Sequence, residues 1–505
     1  MIARRSALSV LALDTFAFTA CFALWMLNGV LVTHLVETQT FAFDAIEVGW
    51  LLGAPVLTGS LLRLPVGMLT DRYGGRRVFS AVLVASALGA LLLGRAETFA
   101  GFLVGSLAFG LAGTSFAVGV AHTSAWFPKQ SQGTALGIFG AGNAGSALTT
   151  VFAPALLRTF TENGANPDGW RRLPLVLAGL MLVTAVAFFV FVPADRMERP
   201  VAARSLGEQL GVLRSIRVWR FGLYYFLVFG CFVALAQWLV PYYVNVFGVT
   251  LATAGLLTAV FSFPSGVIRA LGGWLSDRYG ARRTLYGVFG VCVAGCFFLA
   301  IPRMQLTTPG EGVSARFGGV VTRVTEHEIV AGGFRYDLRS MPPPADDAGF
   351  ALSMRQVPLV RTGEVVKQKQ LLASGTTTLV FAPGIGLFTF LVFAVGIAMG
   401  IGKAAVYKHI PDYFPGQVGA VGGLVGVVGG LGGFFCPIVF GYLLRWTGVW
   451  SSAWAFLFLL SLGTLAWMHS VVRSLERARL RSIEATTDAP RELALPLGRE
   501  GAVSS

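Results

Sequence analysis

Long apolar runs alternate with short polar segments along almost the whole chain. A membrane-crossing helix needs about 20 mostly apolar residues. Twelve runs meet that length. They predict helices near 7–33, 46–70, 77–95, 98–126, 131–158 and 170–193, then near 217–247, 252–275, 283–302, 379–410, 416–444 and 449–472. Between the ninth and tenth, residues 303–378 are polar, contain PPPADD at 342–347, and include stretches such as GGVVTRVTEHEIV that suggest short strands. The pattern therefore reads as an all-α membrane protein with twelve transmembrane helices and a polar, strand-containing insertion.

The two sets of six are related. Residues 67–77 read GMLTDRYGGRR and residues 273–283 read GWLSDRYGARR, a shift of 206 positions between Asp71 and Asp277. Arg63 and Arg269, each inside an apolar run, are separated by the same shift. Phe127-Pro128 and Phe414-Pro415 pair at a larger shift of 287, which places the extra residues between the two repeat elements, where the insertion lies. Internal repeats of this kind characterise secondary transporters. The chain divides into a six-helix bundle over 1–195, a cytoplasmic linker over 196–216 and a second six-helix bundle over 217–475. An extracytoplasmic insertion over 303–378 interrupts the second bundle, and 476–505 reads as a disordered cytoplasmic tail.

Composition agrees: 55% of residues are hydrophobic and only 13% charged, against about a quarter charged in soluble domains. The net charge of +14 does not indicate nucleic acid, because the basic residues concentrate in short loops. With the N-terminus inside, Arg72, Arg76, Arg77, Lys129, Arg278, Arg282, Arg283 and Lys408 fall on the cytoplasmic side, as the positive-inside rule requires. Both termini are then cytoplasmic and the protein resides in the cell (inner) membrane. The first apolar run has no evident cleavage site and reads as a helix. All five cysteines lie in apolar stretches, so no disulfide framework is expected. No metal or cofactor motif is present, and HExxH and P-loop patterns are absent.

A few polar residues stand at membrane depth. Arg63 and Arg269 lie eight residues, about 12 Å, beyond Asp71 and Asp277, and Asn143 lies roughly 18 Å into its helix. All three converge on the midplane, where such transporters hold substrate. A midplane arginine costs at least about 2.5–3.5 kcal/mol, and no acidic residue stands at equal depth. An anionic substrate is the expected neutraliser. The rigid guanidinium fork suits a small planar oxyanion. Glycines Gly137, Gly140, Gly142 and Gly145 in GTALGIFGAGNAGSA, and Gly422, Gly426, Gly429 and Gly430 in GAVGGLVGVVGGLGG, allow close helix approach and gating.

On these motifs the chain resembles the nitrate/nitrite porter family of the major facilitator superfamily. The two DRYG loops, with Asp71, Arg72, Asp277 and Arg278, are similar to the superfamily loop motif. GxGNxG at 140–145 resembles the family's nitrate signature, with the glycine-rich eleventh helix its second copy. The insertion departs from the compact family pattern. The resemblance implies substrate contacts from Arg63, Arg269, Asn143, Tyr225, Phe116 and Phe229. It implies nitrate and nitrite as substrates, no cofactor, and a monomer working by alternating access.

Nitrate import opposes an inside-negative potential, at about 2.3 kcal/mol per charge per 100 mV. Proton symport or electroneutral exchange with nitrite would each overcome it. Lys403, roughly 12 Å deep by helix rise, is the candidate proton carrier, charged when nitrate binds, with His122 and Asp14 behind it. Rival readings are a transporter of another small anion and a membrane receptor that uses the insertion.

Overall fold

The computed structural model describes residues 2–194, 211–341, 349–414 and 418–487. Among them, eleven continuous helices are long and apolar enough to cross a membrane: α1 Ser6–Glu37, α2 Ala45–Tyr73, α3 Gly75–Leu93, α4 Phe99–Trp126, α5 Ser131–Phe160, α6 Pro167–Phe191, α7 Ile216–Phe247, α9 Ala281–Ala300, α10 Ile385–Pro411, α11 Val421–Thr447 and α12 Ser452–Ala478. The remaining span, α8, is a pair, Leu251–Val267 and Leu271–Tyr279, bent by 50°. The hydrophobic pattern thus yields its twelve spans, one of them broken.

Several spans lose regular α geometry partway along. The first part of α2 ends at Leu61, and a second segment starts at Arg63. Pro65 has no N–H, so the Leu61 carbonyl loses its usual donor beside that break. In α8 a new segment starts at Arg269, one turn after Pro264. A 3₁₀ turn occupies Gly110–Thr114 in α4 and another occupies Ala141–Ala144 in α5. A π-turn spans Phe226–Gly230 in α7, and α11 pauses at Leu431. Irregular backbone at membrane depth persists only where protein buries it or a cavity solvates it. These interruptions therefore mark the interior of the molecule.

The DRYG repeats share one backbone reason. Gly74 and Gly280 each adopt φ 86°, a conformation that side-chain-bearing residues rarely accept. The next residue differs, Gly75 against Ala281, because a Cβ on Gly75 would collide with the His122 ring.

At the end of the bundle that carries the insertion, α2 and α11 touch backbone to backbone. A Cβ on Gly53 would lie 2.6 Å from the Phe434 carbonyl, and Gly49 and Gly441 are similarly closed by Pro437 and Ala45. Asp44 caps α2 and accepts from Arg445 Nη1 at 2.6 Å. Gln237 Nε2 on α7 donates to the Leu52 carbonyl of α2 at 2.9 Å. At the end that carries the DRYG loops, by contrast, Gly133 and Gly137 of α5 face open space.

The insertion is a small antiparallel β unit. Strands β1 Met304–Ser314, β5 Gly349–Pro358 and β7 Leu371–Ala382 form one sheet in the order β1-β7-β5. Strands β2 Gly319–Val324, β3 Glu328–Ala331, β4 Phe334–Asp337 and β6 Val365–Val366 form the other in the order β4-β3-β2-β6. It has its own apolar core, which includes Val321, Ile329, Tyr336 and Leu372.

Two boundaries differ from expectation. The tenth helix starts at Ile385 rather than 379, because Leu379–Ala382 continue β7 between β1 and β5. A short apolar run reads equally as strand or helix, and Pro383-Gly384 ends it. The last helix continues to Thr487, so 476–487 are helical rather than disordered. Its charged end extends a membrane helix that is already nucleated. The rest of the tail, 488–505, and linker residues 195–210 lie outside the described residues.

Candidate functional site

The breaks in α2 and α8 place Arg63 and Arg269 each at the first residue of a new helical segment. Helix N-termini carry partial positive charge, which adds to the guanidinium charges. Arg63 is 5% exposed. It reaches across both halves: Nη1 donates to the Gly426 carbonyl of α11 at 3.2 Å and Nη2 to the Gly113 carbonyl of α4 at 3.3 Å. Its guanidinium carbon lies 5.7 Å from the Phe116 ring and 5.5 Å from the Phe229 ring. Arg269 shares the first of these, 5.3 Å from Phe116, and lies 5.8 Å from Tyr407.

Two arginines, one from each bundle, thus converge on a single phenylalanine. Contacts within about 6 Å of a ring face are attractive, yet they leave donors unused. Arg63 Nε and Arg269 Nη1 are buried N–H groups without acceptors; Ser60 Oγ has no partner, and Asn143 Oδ1, an acceptor, has no donor. Among the described residues neither arginine has a carboxylate partner. Buried donors of this kind are costly when unmet. The cluster is chemically a receptor for an acceptor-rich anion.

The remaining expected residues group around this centre. Asn143 Nδ2 donates to the Gly140 carbonyl of its own helix at 2.9 Å, and its Cβ packs near Gly266 of α8. Gly140, rather than the amide, meets Arg269. Tyr225 stacks on Phe229 with centroids 5.0 Å apart. Gly142 and Gly145 receive Phe18 and the Thr19 carbonyl of α1, Gly429 receives Tyr225, and Gly430 receives Ser60. Gly422 and Gly426 face Tyr407. Gly137 touches nothing.

Tyr407 and Ser60 escaped the sequence reading. Tyr407 lies edge-on to Tyr225 at 5.0 Å, and its hydroxyl donates to the Gly422 carbonyl at 3.2 Å. It stands four residues after Lys403, on the same helix face, and that spacing could have found it. Ser60 is one turn before Arg63.

Lys403 is fully buried, so it does not snorkel to the surface. Its Nζ meets the Ser265 hydroxyl at 3.3 Å and lies 3.1 Å from the Phe232 ring centre. Ser265 is one turn before Arg269, which puts Lys403 beside the arginine cluster. Asp14 and His122 lie elsewhere. Asp14 takes His122 Nδ1 at 2.9 Å and the Thr123 hydroxyl at 2.7 Å. Of the loop motif, Asp71 and Arg72 are exposed, and Asp277 pairs with Lys408 at 2.6 Å.

Twelve spans in two repeated halves around a cationic centre define a membrane transporter fold, and the chain belongs to the Major Facilitator Superfamily, whose profile matches residues 14–317 and 370–500. The unmatched stretch falls inside the β unit. A nucleoside transporter, NupG, superposes with a TM-score of 0.59 at 10% identity, covering 91% of this chain and 99% of that one. An inward-facing bacterial homologue of the human lysosomal transporter Spinster gives 0.58 at 15% identity, covering 92% and 96%. Within the superfamily the chain groups with the nitrate/nitrite porters. It is 40% identical over 476 residues to the probable nitrate/nitrite antiporter NarK1 of Thermus thermophilus, covering 94% of this chain and 93% of the relative. The nitrite extrusion protein of Bacillus subtilis is 28% identical, covering 87% and 88%.

Proposed function

We propose that the chain moves nitrate and nitrite across the cell membrane by alternating access, with the anion held between Arg63 and Arg269. The observation that carries this reading is the pair of guanidinium groups from opposite bundles over Phe116, with buried N–H groups unmet and, among the described residues, no carboxylate paired with either. A flat trigonal oxyanion presents acceptors in the plane that such forks require. Phe116, Phe229 and Tyr225 form walls that favour a thin ligand, and the proposed contact of Asn143 with the anion would require its Nδ2 to turn from the Gly140 carbonyl. Similarity to nitrate and nitrite carriers supports this substrate class over other anions. Both termini and the 196–216 linker face the cytoplasm in this reading, and the β unit faces outward. The protein works as a monomer without a cofactor and is a carrier rather than an enzyme.

Two coupling modes each have support. Burial of Lys403 next to the Arg269 segment favours nitrate import with protons. The likeness to a protein named as an antiporter favours exchange of nitrate for nitrite. The deciding experiment is nitrate uptake into proteoliposomes under an inward proton gradient, with and without internal nitrite. Uptake that needs the gradient assigns symport, and uptake that needs internal nitrite assigns exchange. Folded protein with no uptake in either would overturn the substrate.

A further inference from the structure

A second cavity, of about 660 Å³, lies well apart from the arginine centre, where the β unit joins the helices. Its wall is apolar and aromatic, formed by Tyr242 and Phe247 of α7, Leu299 of α9, Phe388 and Leu391 of α10, and Trp450. Pockets that bury small molecules span roughly 300–1,000 Å³, so the space suffices for a ligand. Tyr242 stacks on Phe388 at 4.9 Å, with Trp450 edge-on to Tyr242 at 5.9 Å. These rings brace one side of the cavity.

Its surroundings identify the occupant. Phe298 and Leu387, at the cavity margin, are 55% and 56% exposed on the outer surface of the bundle, so the cavity opens sideways onto the surface that faces lipid. Tyrosine and tryptophan concentrate at the level where bilayer meets water. The adjoining sheet continues the apolar surface. Met304, Phe381 and Phe350 form one cross-strand row, and Leu306, Leu379 and Leu352 form the next on the same face. Phe350 and Leu306 of these rows are exposed by 71% and 50%. An apolar sheet face that begins beside two helix ends matches the acyl boundary of a membrane better than open water.

We propose that this cavity holds one acyl chain of a bilayer phospholipid, and that the root of the β unit rests in the same lipid boundary. Arg303 marks the depth of the lipid phosphate: it stands at the rim, with Nη1 donating to the Val246 carbonyl at 3.3 Å. The apolar lining selects for the chain, so the site accepts zwitterionic and anionic phospholipids alike.

The test uses the full chain in proteoliposomes that contain phosphatidylcholine with a diazirine at the end of one acyl chain. After irradiation, adducts are mapped by mass spectrometry. Adducts on Leu299, Leu391 and Trp450 should exceed, several-fold, those in the open groove between α3 and α6 around Val84 and Val186. Leu391→Trp, which fills the cavity, should remove that excess, and the milder Leu391→Phe should reduce it; retained nitrate uptake certifies their fold. Equal labelling of cavity and groove would reduce the cavity to ordinary lipid contact and overturn the proposal. So would an excess unchanged in Leu391→Trp, or one confined to an anionic headgroup.

Discussion

Arg63 and Arg269 occupy matching places in the repeat but make different bonds. Arg63 donates to two carbonyls, whereas Arg269 has a buried Nη1 with no acceptor. Lysine keeps the charge but not the fork. Arg269→Lys should therefore weaken anion binding while leaving the fold intact. A charge-assisted hydrogen bond is worth about 1.5–3 kcal/mol, which predicts a roughly ten- to hundred-fold weaker nitrate Kd in a binding assay on purified protein. Arg63→Lys should do the same and also loosen the contact between α2 and α11. Lys403→Gln should abolish proton-driven uptake and spare nitrate/nitrite exchange if the lysine carries the coupling proton. Intact proton-driven uptake in that variant would remove Lys403 from the mechanism. The arginines, the asparagine and the tyrosine were legible because charge and amide groups stand out in apolar runs. Tyr407 and Ser60 were not, since a hydroxyl on an apolar helix is common. The breaks in α2 and α8, beside Pro65 and after Pro264, start a new helical segment at each arginine, and the sequence pattern alone did not show where they would aim the side chains.

At the scale of elements, glycine sets the helix separations. Gly53 lies so close to the Phe434 carbonyl that any side chain must push α2 and α11 apart. Gly53→Val should open the insertion end of the bundle, seen as faster thiol labelling of a cysteine placed at Trp50. Overpacking of this sort costs typically about 1–3 kcal/mol, so the variant should insert but melt earlier. The Asp44–Arg445 pair at the same end is partly exposed. Exposed pairs contribute only about 0–1 kcal/mol, and Asp44→Asn should change uptake little. The hydrophobic period located the spans well, and the strand content of the insertion was visible in its β-branched residues. The start of the tenth helix was not, because LVFA suits both secondary structures and pairing with β1 and β5 decides it.

For the whole molecule, the β unit has a core separate from that of the helices. Replacing 304–382 with a short polar loop should leave nitrate uptake within a small factor of the parent, measured in the same vesicles. A collapse of uptake with intact insertion would give the unit a direct part in transport. The repeat and the loop motifs disclosed the two-bundle plan from sequence. The closure of one end follows from backbone contacts at Gly49, Gly53 and Gly441, and which glycines would meet across the bundles could not be read from the sequence.

The sharing of Phe116 by two cations from different bundles has a mechanical consequence. The rocking motion of a carrier changes the distance between its halves, and here two like charges lie along that coordinate. The two guanidinium carbons lie 5.7 and 5.3 Å from the Phe116 ring centre and so no more than about 11 Å apart; in an effective dielectric near 20, like charges at that separation repel by at least about 1.5 kcal/mol. Without cargo, the repulsion acts as a spring that resists passage through the occluded state. An anion between the charges reverses its sign. Under the exchange reading such a carrier would idle when empty and turn over only when loaded, so leakage would be suppressed by the same two residues proposed to grip the substrate.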